Sequence, residues 1–219
     1  MISKKVLKAI LIDLDGTLAD TIPVLYETYL QFMAAKGQKG TSEEFATLMG
    51  PTIPQIVDIL NKRYQWNESS DPLTQQYWHL LSTLYSEHLG LFSGAKRFIQ
   101  QLNEKGVKIA LVTSAASDLA ESFLKKHQLS KYFDCIVTGD DVARGKPDPE
   151  AYLKALSKLQ LHPEEALVIE DSRSGILSAQ TAKIPTIQIL HKDEVKLIEG
   201  AIPLLNWDAI ATYYRATCE

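Results

Sequence analysis

Two carboxylates two residues apart, Asp13 and Asp15, follow an apolar run in "AILIDLDGTLADT" (residues 9–21). A carboxylate at the end of a buried strand is costly unless it is paired, hydrogen-bonded or bound to a metal. In extended backbone, residues two apart project to the same side, so the pair shares one site. One of them can attack a phosphorus atom while the other handles protons, and an aspartate nucleophile that forms an aspartyl-phosphate is an established covalent strategy. Further polar sets follow apolar runs downstream. Thr113 and Ser114 follow "KIALV", Lys146 lies in "TGDDVARGKPDP" beyond "CIV", and Glu170, Asp171 and Ser172 follow "ALVI". Carboxylate oxygens with little nitrogen or sulfur select a hard cation such as Mg²⁺, which offsets their mutual repulsion and recruits a phosphate. Thr113, Ser114 and Lys146 supply donors and a positive charge for the equatorial oxygens of a transferring phosphoryl group. Singly, each has a plainer reading: Thr113 as a helix cap, Lys146 as a surface lysine, Glu170 and Asp171 as caps of the following helix. In order, and all at strand ends, they read as one site.

The elements that must position these groups are legible from periodicity. Residues 9–12, 108–112, 135–137 and 166–169 read as buried strands, with 186–189 as a fifth. Residues 201–205 form a candidate edge strand, weakened by Pro203. Helical patterns of 10 to 15 residues lie between them, one with Asp148 as a candidate N-cap and Pro149 in its first turn. Strand and helix alternate, which predicts an α/β fold: a Rossmann-like parallel sheet with helices on both faces. Ligands of such a sheet bind beyond the carboxyl ends of its strands, where the polar sets lie. Residues 22–90 break the rhythm and read as helices over about 23–36, 41–48, 53–65 and 72–88. The expected organisation is a core domain of residues 1–21 and 91–219 with an inserted all-helical cap subdomain, 22–90. An insertion there can cover an active site and exclude water.

The 219 residues suffice for one large domain or a core with a modest insert. A net charge of -4 provides no broad basic field for nucleic acid or an anionic membrane. Cys135 and Cys218 are far apart and form no disulfide framework, so a reducing cytoplasm is the expected compartment. The apolar run after the basic N-terminus ends at Asp13, too short for a signal peptide, and no stretch approaches the roughly 20 apolar residues of a membrane helix. The expected partner is a small phosphorylated metabolite, with no nucleic acid and no membrane; no sequence feature specifies an oligomeric state.

With these motifs in hand, the chain resembles the haloacid dehalogenase superfamily. "DLDGTLADT", "ALVTS", "GKPDPEAY" and "VIEDSRSGI" match its four motifs in order and spacing, over roughly residues 6–21 and 91–190. The resemblance implies Asp13 as nucleophile and Asp15 as the acid that protonates the leaving oxygen and then activates water. It implies Mg²⁺ on the Asp13 carboxylate, the Asp15 main-chain carbonyl and Asp171, with Glu170 bound directly or through water. Thr113 and Lys146 would bind the phosphoryl group, with Ser114 adding a contact. Gly16 would permit the turn after the strand, and Asp20 and Thr21 would hold the loop.

Within the superfamily that the chain resembles, an acidic residue at 15 implies phosphoryl transfer rather than displacement of halide from carbon. The insertion resembles the helical cap of the phosphoglycolate phosphatase and β-phosphoglucomutase branch. The mutase group has a histidine where this chain has Leu25 and an arginine where it has Ile53; "MGPTIPQ" (49–55) looks more like the cap loop of phosphoglycolate phosphatases. The implied activity is Mg²⁺-dependent hydrolysis of a small organic phosphate monoester, with a β-phosphoglucomutase-like sugar phosphomutase as the alternative. Tyr26, Tyr29, Gln55 and Arg63 are candidates to face the site from the insertion, and Arg173 from the core. Lys183 stands in a slot where family members usually have glycine.

Overall fold

The computed structural model describes residues 7–48, 53–190 and 196–217. The chain divides into two compact units, Met1–Asp20 with Gly90–Glu219, and Thr21–Leu89. The first contains β1 (Ala9–Ile12), β2 (Ala19–Asp20), β3 (Gly90–Leu91), β4 (Lys108–Val112), β5 (Cys135–Val137), β6 (Ala166–Glu170), β7 (Thr186–Ile189) and β8 (Ile202–Leu204). Among the described residues, six of these form a sheet in the order β5-β4-β1-β6-β7-β8. Every neighbouring pair in it is parallel. The protein is therefore an α/β fold, and β1 is central because its four residues are apolar and wholly buried.

The helices of this unit are introduced in chain order after the four of the insertion: α5 (Ala95–Glu104), α6 (Ser117–Lys126), α7 (Glu150–Leu159), α8 (Arg173–Thr181) and α9 (Trp207–Thr217). Right-handed crossovers to β4 and β5 run one way along the sheet and those to β6 and β7 run the other, so α5 and α6 lie on one face and α7 and α8 on the opposite one. The second face is a single apolar cluster. Ala9, Leu11, Ala110, Val112 and Val168 from the sheet pack with Tyr152, Leu156 and Leu159 of α7 and Ala179 of α8. The intervening residues Ile10, Ile12, Ile109, Leu111 and Ile169 are equally buried, so the period of two divides the strands between two covered faces.

Several local expectations resolve here. Pro203 is accommodated because β8 is an edge strand, where its missing N–H faces no neighbour. Helix α7 begins at Glu150, one residue later than the pattern suggests; Asp148 still serves its end, its carboxylate accepting from the Glu150 N–H at 3.0 Å. Lys183 takes the left-handed conformation, φ 61, that its glycine-like slot demands.

Among its described residues the second unit is built of helices alone: α1 (Ile22–Ala35), α2 (Ser42–Thr47), α3 (Ile53–Tyr64) and α4 (Ser70–His88). Its core gathers Tyr29, Phe32, Met33, Leu48, Val57, Leu60, Leu73 and Tyr77. The Phe32 ring meets Tyr77 edge-on at 5.1 Å and Trp66 at 5.8 Å. Tyr29, Phe32 and Tyr77 are thus core residues, whereas Trp78 on α4 is exposed. Most of the "MGPTIPQ" stretch, residues 49–52, lies outside the described residues, as do Cys218, Lys4 and Lys5. Among the described residues, no helix is long and apolar enough to cross a membrane.

Candidate active site

Parallel register brings the polar strand ends to one level. Ile12 pairs with Leu111 on one side and Ile169 on the other, so the residue that follows β1, Asp13, stands beside Val112 and Glu170. Its own N–H donates to the Ile169 carbonyl at 3.1 Å, extending the ladder by one rung. Lys146, distant in sequence, closes the cluster. Its ammonium donates to Asp13 Oδ1 at 2.6 Å, to Glu170 Oε1 at 2.7 Å and to the Val112 carbonyl at 3.0 Å. All three of its protons are used, and its side chain is only 5% exposed. The surface-lysine reading fails on that geometry.

Glu170 is wholly buried and held at both oxygens. Oε1 also accepts the Tyr152 hydroxyl at 3.2 Å, and Oε2 accepts the Ser172 N–H at 2.9 Å and its hydroxyl at 3.0 Å. Gly175 makes this arrangement fit, because a Cβ there would overlap the Glu170 carboxylate. The cap of α8 is Ser172, which accepts from the Gly175 N–H, so neither Glu170 nor Asp171 is spent as a helix cap.

The turn after β1 positions the remaining acids. Leu14 O accepts from the N–H groups of Leu18 and Ala19, folding the chain back within five residues. Gly16 sits at φ +79 at this turn, and a Cβ on it would collide with the Asp171 carboxylate. Thr17 is buried beside it and donates to Asp171 Oδ1 at 3.1 Å. Asp15 is half-buried, and its charge acts on Asp13. Thr113 is buried at the end of β4; its oxygen accepts the Ala115 N–H at 3.0 Å, which leaves the hydroxyl proton to donate elsewhere. It caps no helix, since α6 starts after Ala116. Ser114 is exposed.

The electrostatics are those of a cluster short of positive charge. Burial, then the charge of Glu170, pushes the Asp13 carboxyl well above the ordinary range, with Lys146 pulling the other way. Burial, then Glu170, raises Asp171 to about 7. Burial disfavours the Lys146 ammonium, but Asp13 and Glu170 outweigh it and hold the lysine charged. Burial, then Glu170, keeps the Tyr152 phenol protonated. Asp13, Glu170 and Asp171 each offer a carboxylate oxygen within 4.8 Å of one another, an all-oxygen donor set that fits a hard divalent cation.

Tyr152, Thr17 and Gly175 belong to this site although their positions had suggested no such part. The first reads as a core aromatic on α7, and only its hydroxyl hints at more. In the helical unit, two candidates to face a substrate are engaged internally. Tyr29 is fully buried and its hydroxyl donates to Glu44. Arg63 donates to Glu44 Oε1 at 2.6 Å.

The sheet, its acid-lined strand ends and their lysine define a class, and comparison agrees. The profile of the haloacid dehalogenase-like hydrolases matches residues 10–189, and the chain belongs to that family. It is 33% identical over 208 residues to a Thermotoga maritima protein named "Phosphorylated carbohydrates phosphatase", covering 93% of this chain and 96% of that one. It is 31% identical over 198 residues to a Yersinia pestis phosphoglycolate phosphatase, covering 87% and 84%. A Thermotoga maritima crystal structure carrying a provisional β-phosphoglucomutase name superposes with a TM-score of 0.85 at 30% identity, over 95% of this chain and 99% of that one. The protein is thus a haloacid dehalogenase-like hydrolase with both phosphatase-named and mutase-named relatives.

Proposed function

We propose that this hydrolase is a Mg²⁺-dependent phosphatase that cleaves a small organic phosphate monoester, in the manner of a phosphoglycolate phosphatase, through an aspartyl-phosphate on Asp13. The observation that carries the reading is the Asp13 carboxylate, buried at a strand end and locked to Lys146 at 2.6 Å beside Asp171. In the first step an Asp13 oxygen bonds to phosphorus and the ester P–O bond breaks. Asp15 gives its proton to the departing alkoxide. In the second, Asp15 takes a proton from water as the water oxygen bonds to phosphorus, and the bond from phosphorus to Asp13 breaks. Lys146, the Thr113 hydroxyl and Ser114 bind the phosphoryl oxygens.

Mg²⁺ would be held by Asp13, the Asp15 carbonyl and Asp171, where it would neutralise phosphoryl charge. The four protein donors on Glu170 favour contact through water for that residue. We assign substrate selection and the exclusion of water to residues 22–90 as a cap domain, and the chemistry to a core domain of residues 1–21 and 91–219. The cysteine-poor composition supports a cytoplasmic enzyme.

A phosphomutase of the same branch must hold a second phosphate. Leu25 and Ile53 supply no charge for it, and the phosphatase names of the relatives support hydrolysis. The test is phosphate release from 2-phosphoglycolate, sugar phosphates, nucleoside monophosphates and pyrophosphate, with Mg²⁺ and with EDTA. Mg²⁺-dependent release, absent in Asp13→Asn, is expected. Interconversion of sugar phosphates without release would replace the phosphatase by the mutase.

A further inference from the structure

Tyr152 is wholly buried in the apolar cluster between β4, β6 and α7, where its ring packs among aliphatic neighbours. Phenylalanine would fill that volume without bringing a hydroxyl into a hydrocarbon setting, and a buried hydroxyl is costly unless it is bonded. The Tyr152 hydroxyl donates to Glu170 Oε1, which is also the oxygen that receives Lys146. The same ring lies 5.1 Å from the Lys146 ammonium. One side chain on α7 therefore touches both members of the ion pair that presents Lys146 to Asp13.

We propose that Tyr152 is a positioning residue for phosphoryl transfer: its hydroxyl fixes Glu170 Oε1, and Glu170 in turn fixes Lys146 against Asp13. Ser172 restrains the other oxygen from the β6–α8 turn. Glu170 is thus gripped from two elements, and Oε1 cannot follow the lysine when Asp13 acquires a phosphoryl group. Without the hydroxyl, Oε1 keeps Lys146 as its one described donor. The ammonium can then drift towards Glu170 and away from the transferring oxygens. Tyr152 touches neither substrate nor reacting atom, and its effect passes through Glu170.

The proposal rests on the phosphatase reading, and Tyr152→Phe in the full chain tests it with two independent measurements. The ring and its packing are retained, so the thermal midpoint is expected to stay within a few degrees. The Lys146 ammonium is followed by ¹H–¹⁵N NMR, assigned by its loss in Lys146→Met. With the ring still present, a displaced or broadened signal in Tyr152→Phe reports the missing hydroxyl. Steady-state phosphate release is expected to show kcat lowered roughly tenfold with KM within about twofold. In a Glu170→Gln background the Tyr152→Phe change is expected to have little further effect, the coupling that a shared partner produces.

An unmoved Lys146 signal overturns the proposal whether or not the protein is a phosphatase. So does a wild-type kcat in an active Tyr152→Phe protein. If the wild-type chain releases no phosphate from any substrate tried, the phosphatase reading falls, and the NMR arm alone still decides whether Tyr152 positions Lys146.

Discussion

Two carboxylates anchor the two units, and their surroundings are alike in kind but opposite in balance. In the helical unit, Glu44 accepts from Tyr29, from the Tyr64 hydroxyl at 2.9 Å and from Arg63. In the α/β unit, Glu170 accepts from Tyr152, Ser172 and Lys146. Each is a buried or half-buried acid gripped by a phenol and a cation. Around Glu44 one acid meets one cation, and the set closes on itself. Burial raises its carboxyl, but Tyr29, Arg63 and Tyr64 outweigh that and hold it below its ordinary value. Around Glu170 one lysine serves three acids, Asp13, Glu170 and Asp171, and the carboxyls of Asp13 and Asp171 are pushed up. A neutral cluster staples helices together. A cluster with surplus negative charge is stable only when something positive completes it, and that imbalance separates chemistry from architecture.

The widest break between the two clusters is expected from Asp13→Asn. Phosphate release should fall by on the order of a thousandfold or more, since an amide is no nucleophile. The thermal midpoint of the metal-free protein should hold or rise, because one of the crowded charges is gone. A variant that still turns over normally would remove Asp13 from the chemistry.

Chelation comes next. EDTA should abolish activity, and Mg²⁺ should raise the midpoint of the wild-type chain but not of Asp171→Asn. Equal stabilisation of both proteins would place the cation elsewhere.

The sign of the pH dependence follows from Asp171. Its folded value, about 7, lies above its ordinary 3.8. Its contribution to stability is therefore complete below pH 3.8 and is lost as pH rises towards 7. In metal-free buffer, wild-type stability measured against Asp171→Asn should decline across that window. A difference that grows with pH would mean that Asp171 is held ionised.

Breaking the closed cluster should cost less and change other observables. Glu44→Gln should destabilise the protein by about 1–3 kcal/mol through loss of charged acceptors for two phenols and a guanidinium. Arg63→Ala, at an exposed pair, should cost under about 1 kcal/mol. The comparison fails if Glu44→Gln proves as damaging to kcat as Asp13→Asn. The smallest effect is expected at Lys183, whose left-handed backbone suits glycine. Lys183→Gly should raise the melting midpoint by roughly 1–3 °C.

The strands and most of the site were legible because their signals are local. Apolar runs of three to five residues end in acids, a threonine or a loop with a lysine, and parallel strands put such ends together. Tyr152 was hidden because a core tyrosine and a core phenylalanine share one pattern; only the position of Glu170 across the α7–sheet contact gives the hydroxyl a purpose. Gly175 was hidden for the same reason, since its need is set by a carboxylate from the preceding strand. Arg63 and Tyr29 read as candidates to face a substrate because helical periodicity cannot say whether a polar tip meets solvent, ligand or a neighbouring helix. By itself the sequence determined the order along the chain of the strands of the main sheet, the α/β class and the identity of the acids, all consequences of short-range pattern and residue chemistry. Only the tertiary structure decided which oxygen meets which proton. Hydrogen bonds are settled within tenths of an ångström, by side chains that the chain brings from as far apart as Asp13 and Lys146.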